Sequence, residues 1–102
     1  MEAATFYDTH AHFEGAPLET AAVMARAALA GVSRVVAVGG SAALNAGALA
    51  VARAYPERVR LALGFDRDQA TAAAPEVFAE ALRQLAAAQP LSAVGETGLD
   101  FH

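Results

Sequence analysis

Short apolar runs alternate with longer stretches of helical periodicity along the chain. Each apolar run has the length of a β-strand and is bounded by glycine, proline or polar residues. These runs predict strands at about residues 5–10, 33–38, 59–64 and 91–95. The second run contains Val35-Val36-Ala37-Val38, a continuous apolar sequence that is typical of a strand covered on both faces.

The stretches between the predicted strands have the spacing of amphipathic helices. They predict helices at about residues 18–30, 41–54 and 75–88. Gly31 is a natural C-terminal stop for the first helix, and Ser41 is a candidate N-terminal cap for the second. Apolar side chains recur at helical intervals in the second and third helices, at Leu44, Ala48, Val51, Ala52 and Tyr55 and at Phe78, Leu82 and Leu85.

The resulting order of elements is β-α-β-α-β-α-β, which places the chain in the α/β class. Strands separated by helices of this length predict right-handed crossovers and a parallel sheet. The sequence has 102 residues and no linker-like or low-complexity segment, so residues 1–102 are expected to form a single domain. Hydrophobic residues make up 56%, but many of them are alanine, which predicts a core of modest buried area.

Charge and composition narrow the possible functions. The formal net charge is −4, all seven basic residues are arginine, and no basic stripe suited to a phosphate backbone is present. A protein of this charge that acts on nucleic acid would need metal ions to supply local positive charge. Because cysteine is absent, any metal ligands must be His, Asp or Glu. No signal peptide or transmembrane run is recognisable, so no membrane partner and a cytoplasmic location are expected.

Two histidines near the start of the chain are candidate metal ligands. His10 and His12 are two residues apart at the end of the first predicted strand, where side chains i and i+2 point to the same face. Asp8 shares their parity. Neutral imidazole is a common zinc ligand. The pair alone is a weak signal, because two partly buried or solvent-facing histidines at a strand end give the same pattern.

The predicted topology brings further polar residues to the same place. In parallel βα proteins, ligands bind at the carboxyl ends of the strands. Asp66 follows the third predicted strand and Glu96 follows the fourth, while His10 and His12 lie at the end of the first. Four candidate groups are therefore expected to converge on one edge of the sheet.

Two sequence motifs resemble those of a known family. Asp8-Thr9-His10-Ala11-His12 is similar to the opening motif of the TatD-like metal-dependent hydrolases. Gly95-Glu96-Thr97-Gly98-Leu99-Asp100 is similar to that family's signature after its fourth strand. Residues 31–39 and 50–56 also resemble its second strand and the helix end that follows. The resemblance covers nearly all of the chain in the right order.

The resemblance implies a (β/α)8 TIM barrel that binds one or two divalent metal ions and hydrolyses phosphodiester bonds, typically in DNA. Zinc, magnesium and manganese are the candidate ions. By the same resemblance, His10 and His12 would bind the first ion, and Glu96 would bridge both ions and act in catalysis. A metal-activated water would be the nucleophile, and DNA or another phosphodiester would be the substrate.

The chain departs from the family pattern in two respects. The first is local: the family often has Gly-x-His-Pro after its third strand, where this chain has Gly64-Phe65-Asp66-Arg67. Asp66 is therefore either a substitute ligand or, as we favour, a loop or capping acid. Asp8 and Asp100 are further candidates for supporting or substitute roles, Asp8 by orienting an imidazole and Asp100 by fixing the loop after the fourth strand.

The second departure is length, because a complete barrel needs about 250 residues. The chain resembles the N-terminal half of the barrel, without the ligands that later strands of the family supply. Half a barrel leaves its first and last strands unpaired at the edges and one face of the sheet uncovered, with Val36, Val38, Leu61 and Leu63 as expected contributors to that face.

The open edges predict a homo-oligomer, since unpaired strands invite pairing with another chain. Two functions remain open. One is a metal-dependent phosphodiesterase, and the other is a non-catalytic half-barrel that acts as an assembly or binding module.

Overall fold

The computed structural model describes residues 4–14 and 17–98. Within these residues the chain forms four β-strands that alternate with three α-helices, and one 3₁₀ helix (Arg67–Gln69) follows the third strand. The strands are β1 (Phe6–Ala11), β2 (Val32–Gly40), β3 (Val59–Phe65) and β4 (Ala93–Val94), and the helices are α1 (Pro17–Leu29), α2 (Ala42–Ala54) and α3 (Pro75–Ala88). Among the described residues, no helix combines the length and the hydrophobicity that a membrane span requires.

The four strands form one parallel sheet in the order β1-β2-β3-β4. Each helix connects two neighbouring strands, which is the crossover that a parallel pair requires. Sequential strand order with a helix between successive strands is the arrangement found in half of a (β/α)8 barrel. The predicted α/β fold class is therefore confirmed.

The helix ends follow the predicted signals. Ser41 is the N-terminal cap of α2, and its Oγ accepts a hydrogen bond from Leu44 N at 3.2 Å. Gly31, two residues after the end of α1, has φ = 91°, a left-handed conformation that glycine adopts without steric cost. Pro75 begins α3, at a position where its missing N–H costs no hydrogen bond.

The strand ends differ more from prediction than the helix ends do. β2 continues two residues beyond its predicted end, to Gly40. The regular part of β4 spans two residues, although the prediction covers residues 91–95. Hydrogen bonds on either side extend its pairing with β3, from Ser92 N to Leu61 O and from Gly95 N to Leu63 O, both at 2.8 Å. Main-chain contacts therefore hold most of the predicted strand in place.

The hydrophobic core lies between the sheet and its helices, chiefly α2. Its buried members are Phe13, Met24, Val35, Ala37, Ala48, Val51, Ala52, Val59, Leu61 and Leu63. The expectation that Leu61 and Leu63 contribute to the uncovered face is wrong. They alternate along β3 with Arg60 and Ala62, and it is Leu61 and Leu63 that join the cluster formed with α2.

In the part of the chain that the structure describes, the edges of the sheet are open. β1 and β4 are the two edge strands, so each has a hydrogen-bonded neighbour on one side there. Large apolar side chains on these strands reach solvent: Phe6 is 57% exposed, Tyr7 68% and Val94 64%. Edge strands of this kind offer unpaired N–H and C=O groups to another chain.

Leu63→Ala is expected to lower the free energy of unfolding by about 2–5 kcal/mol, because it removes a side chain from the interior of the core. Leu63 is 0% exposed. Leu29→Ala is the matched control, since Leu29 is 90% exposed. Removal of the Leu29 side chain should change the free energy of unfolding by less than about 0.5 kcal/mol. Urea denaturation followed by circular dichroism measures both variants, and equal destabilisation by the two would contradict the assigned core.

Candidate metal centre

Two imidazoles meet at the carboxyl end of β1. His10 lies within the strand, and His12 follows it one residue beyond the end. Their Nε2 atoms are 3.3 Å apart, and the rings stand nearly perpendicular, with centroids 4.9 Å apart and an interplanar angle of 86°. The two-residue spacing in extended chain thus directs both rings to one spot.

Glu96 approaches this imidazole pair from the other edge of the sheet. Its Oε1 lies 3.7 Å from His10 Nε2, and its Oε2 lies 3.4 Å from His12 Nε2. The main chain holds the residue there, because Glu96 N donates a hydrogen bond to Gly39 O, in β2, at 3.2 Å. The fold therefore brings together side chains from opposite ends of the described sequence.

The His12 ring is oriented by a main-chain carbonyl. Its Nδ1 is 2.8 Å from Val38 O. Because a carbonyl accepts and does not donate, Nδ1 carries the proton, and the lone pair of the neutral ring lies on Nε2. That nitrogen is the one that faces His10 and Glu96. Metal-binding histidines are usually held in this way through their second nitrogen.

The three side chains have the donor set and the spacing of a metal site. One ligand atom from each of His10, His12 and Glu96 lies within 4.8 Å of the others, so the three could hold a metal ion. Two ligands of a tetrahedral zinc, each about 2.1 Å from the ion, are about 3.4 Å apart, close to the spacings given above. The side chains are 52%, 38% and 41% exposed, which leaves one side of the cluster open to water or a substrate.

Glycines at the ends of β2 and β3 make room for Glu96. A Cβ on Gly64 would lie 2.5 Å from Glu96 O, well inside van der Waals contact. Gly40 has φ = 150°, and a Cβ there would lie 3.0 Å from Asp66 Oδ2 and 3.5 Å from Glu96 Oε2. The chain after β4 can pass close over these strand ends because neither residue bears a side chain.

Comparison with known protein families agrees with this geometry. The family model described as TatD related DNase matches residues 7–102, a span that contains all three clustered side chains. The chain belongs to the TatD related DNase family. This family consists of metal-dependent hydrolases, so the resemblance drawn from the two motifs is confirmed. No curated protein matches the chain.

Asn45 is a buried polar residue of this TatD-related chain that the motifs do not single out. Its side chain joins the ends of β2 and β3: Oδ1 accepts from Gly40 N at 3.3 Å and from Gly64 N at 3.2 Å, and Nδ2 donates to Gly64 O at 3.0 Å. The sequence signal is its position on the helical face of Ala48 and Ala52, which is apolar elsewhere. A polar side chain on a buried face must find hydrogen-bond partners.

Asp8 and Asp100 are the two other acids for which supporting roles are predicted. Asp8 Oδ1 accepts a hydrogen bond from His10 N at 3.0 Å, so its carboxylate binds the main chain at the first histidine. The register of β1 against β2 shifts between Asp8 and Ala11, within the segment that contains His10. Asp100 lies outside the described residues.

Asp66 caps the 3₁₀ helix that follows β3. Its Oδ1 accepts a hydrogen bond from Asp68 N at 2.9 Å, the capping role favoured from the sequence. Asp66 and Glu96 line one cleft of about 220 Å³, together with Arg67, Asp68, Thr97 and Gly98. Asp66 therefore borders the cluster and lies outside the group of three side chains that could hold a metal ion.

Gly64→Ala is expected to lower the free energy of unfolding by about 1–3 kcal/mol, because its methyl group would force the Glu96 main chain away from the strand end. Gly95→Ala is the matched control, since a Cβ there meets Val38 Cγ1 at 3.8 Å and Ala62 Cβ at 4.0 Å, ordinary contact distances. Gly95→Ala should change the free energy of unfolding by no more than about 0.5 kcal/mol. Chemical denaturation measures both, and a Gly64→Ala protein as stable as the wild type would show that the site is not packed this closely.

Proposed function

We propose that this chain binds a divalent metal ion through His10, His12 and Glu96 and hydrolyses phosphodiester bonds, with DNA or a related nucleic acid as its substrate. The observation that supports this most is the cluster of two imidazole nitrogens and a carboxylate at the carboxyl end of the sheet, in a chain of the TatD related DNase family. Zinc, magnesium and manganese are the candidate ions, and the two imidazoles favour zinc over magnesium.

Each of the three side chains has a part in this proposal. His10 and His12 supply neutral nitrogen ligands, and the Val38 carbonyl keeps the His12 ring turned so that Nε2 faces the cluster. Glu96 has one carboxylate oxygen near each imidazole and would be the acidic ligand, and by the family resemblance the catalytic acidic residue. A divalent ion held by these residues would lower the pKa of a bound water toward neutrality and would place positive charge beside the scissile phosphate.

The open side of the cluster is where a substrate phosphate would approach. The chain has a net charge of −4, and the neighbouring cleft is lined by the carboxylates of Asp66, Asp68 and Glu96 as well as by Arg67. These carboxylates repel a phosphate backbone unless bound metal offsets their charge. DNA binding as well as cleavage is therefore expected to depend on the metal.

A second candidate function is an assembly or binding module without catalysis. It is favoured by the open edges of β1 and β4 and by the exposed apolar side chains Phe6, Tyr7 and Val94. The family resemblance assigns further metal ligands to later strands of a complete barrel. Three ligands alone would bind an ion more weakly than that complete set.

The open edges also support a proposal about assembly, in which residues 1–102 act as one domain and two copies associate. In a (β/α)8 barrel the fourth strand pairs with the fifth and the eighth with the first, so β4 of one copy can pair with β1 of the other at both junctions. Such a dimer would satisfy the N–H and C=O groups at both edges and would enclose the exposed face of each sheet.

The metal-site proposal predicts that the chain binds zinc again after a chelator has removed its metal. The zinc-loaded protein is expected to cleave a DNA oligonucleotide, and the metal-free protein is not. His10→Ala and Glu96→Ala each remove one ligand and are expected to lower zinc affinity by about tenfold or more and to abolish cleavage. Glu80→Ala, on the exposed surface of α3, is the control and should change neither. Titration calorimetry measures binding, and gel electrophoresis measures cleavage.

Three outcomes distinguish the candidate functions. Full cleavage by both ligand variants after metal replacement would contradict the assigned site. Zinc binding that depends on His10 and Glu96, without cleavage of any oligonucleotide, would support the binding module. A folded wild-type chain that binds no zinc, magnesium or manganese would contradict the metal site altogether.

Association through the edges predicts a particle of about twice the chain mass in sedimentation at micromolar concentration. The chain mass is 10.4 kDa. Tyr7→Lys places a charge on the edge strand β1 and is expected to shift the protein toward the monomer. Leu18→Lys, on α1 where the side chain is 85% exposed, is the matched control and should leave the dimer intact. A wild-type monomer under these conditions would contradict the proposed dimer.

A further inference from the structure

From the hydrogen bonds of its buried side chain, we infer that Asn45 is a positioning residue for the metal ligands His12 and Glu96. The inference rests on the metal site proposed above. Asn45 lies near the start of α2 with 1% of its surface exposed. It acts through the ends of β2 and β3, whose main chains hold these two ligands.

The Asn45 carboxamide joins two neighbouring strands with both of its polar groups. Oδ1 accepts the N–H groups of Gly40 and Gly64, and Nδ2 donates to Gly64 O, so one side chain crosslinks the last residues of β2 to those of β3. Its own main chain is fixed as well, because Asn45 N donates to Ser41 O at 2.8 Å. No buried side-chain nitrogen or oxygen atom of the described residues lacks a hydrogen-bond partner, and a displacement of this network would leave such atoms unpaired.

The end of β2 in turn holds both ligands. Gly39 O accepts the hydrogen bond from Glu96 N, and Val38 O lies 2.8 Å from His12 Nδ1. These two carbonyls directly precede the residue whose N–H Asn45 binds. A shift of this strand end would therefore move His12 and Glu96 together with it.

The end of β3 determines how closely the Glu96 main chain packs against the sheet. A Cβ on Gly64 would collide with the Glu96 carbonyl, so the two main chains are in close contact. Asn45 binds both the N–H and the C=O of Gly64, which keeps this surface in place. The position of Glu96 thus depends on both strand ends that the carboxamide connects.

Few side chains can replace Asn45 here. A Cβ on Gly39 would collide with Asn45 Oδ1, so the carboxamide occupies the space beside the strand fully. The position needs an acceptor for two N–H groups and a donor for one carbonyl, which asparagine combines at this length. An ionised aspartate keeps the acceptor and loses the donor, and alanine loses both.

Measuring the zinc affinity of folded variants shows whether Asn45 positions the metal ligands or only stabilises the fold. Asn45→Ala removes all three hydrogen bonds, whereas Val51→Ala removes buried volume from the same helix, in the core cluster. Both variants are expected to lower the melting temperature. Asn45→Ala alone is expected to weaken zinc binding, by about 10- to 100-fold at a temperature where both variants are folded, as is usual for residues that orient metal ligands.

Asn45→Asp is the conservative variant and should recover part of the affinity that Asn45→Ala loses, because its carboxylate can still accept from Gly40 and Gly64. If neither variant folds, zinc titration of isotopically labelled wild-type protein takes their place. The side-chain amide of Asn45 and the main-chain amides of Gly40 and Gly64 should then shift with the same dissociation constant as the imidazole signals.

Wild-type zinc affinity in folded Asn45→Ala, or unshifted amide signals in the titration, would overturn the positioning role and leave the metal site intact. Equal weakening by Asn45→Ala and Val51→Ala would also overturn it, because the loss would then follow stability. A wild-type chain that binds no zinc would overturn the metal site itself and the positioning role with it.

Discussion

The hydrogen bonds at the carboxyl end of β2 are the interaction on which the rest of the candidate site depends. The candidate ligand side chains come from the end of β1 and from the chain after β4, at the two edges of the sheet, and β2 carries none of them. Two carbonyls of β2 nevertheless contact residues from both edges. Val38 O binds the His12 ring, and Gly39 O accepts a hydrogen bond from the Glu96 main chain. The site is therefore assembled over the end of one central strand.

Glu96 reaches that strand by crossing the end of β3, and this crossing explains the glycines there. Gly64 leaves a gap in the side-chain layer through which the Glu96 main chain passes. Glycine loses more conformational entropy on folding than other residues, so strand ends rich in glycine are poorly fixed by their own sequence. Asn45 compensates by binding both strand ends from the helix side. Gly64 thus allows the Glu96 main chain to approach the sheet, and Asn45 holds the strand ends in place.

The elements, the parallel topology and the convergence of His10, His12 and Glu96 follow from the sequence, because each depends on a local pattern. Apolar periodicity marks strands and helices, and alternation of the two places the strand ends at one edge. Features that depend on how the elements pack against one another could not be predicted from the sequence. Periodicity separates the two faces of β3 without saying which one meets α2, and the faces assigned to Leu61 and Leu63 were therefore wrong.

The same limit applies to Asp8 and Asn45. Parity places Asp8 with the histidines, but the hydrogen bond from the His10 main chain to its Oδ1 is identified from the folded strand. Asn45 has no motif, and its role is visible once the ends of two strands are placed beside one helix. Motif residues bear the chemistry of a site, whereas the residues that hold them are identified from contacts.

Zinc-edge X-ray absorption of the chain loaded with one equivalent of zinc tests the central claim most directly. Nitrogen and oxygen ligands lie at overlapping distances from zinc. Multiple scattering from the outer atoms of an imidazole ring distinguishes that ligand from water and carboxylate oxygen. Two imidazoles at about 2.0–2.1 Å are expected in the wild-type protein, and one in His10→Ala. A shell of oxygen atoms without imidazole scattering, or a spectrum that His10→Ala leaves unchanged, would contradict the proposed metal centre.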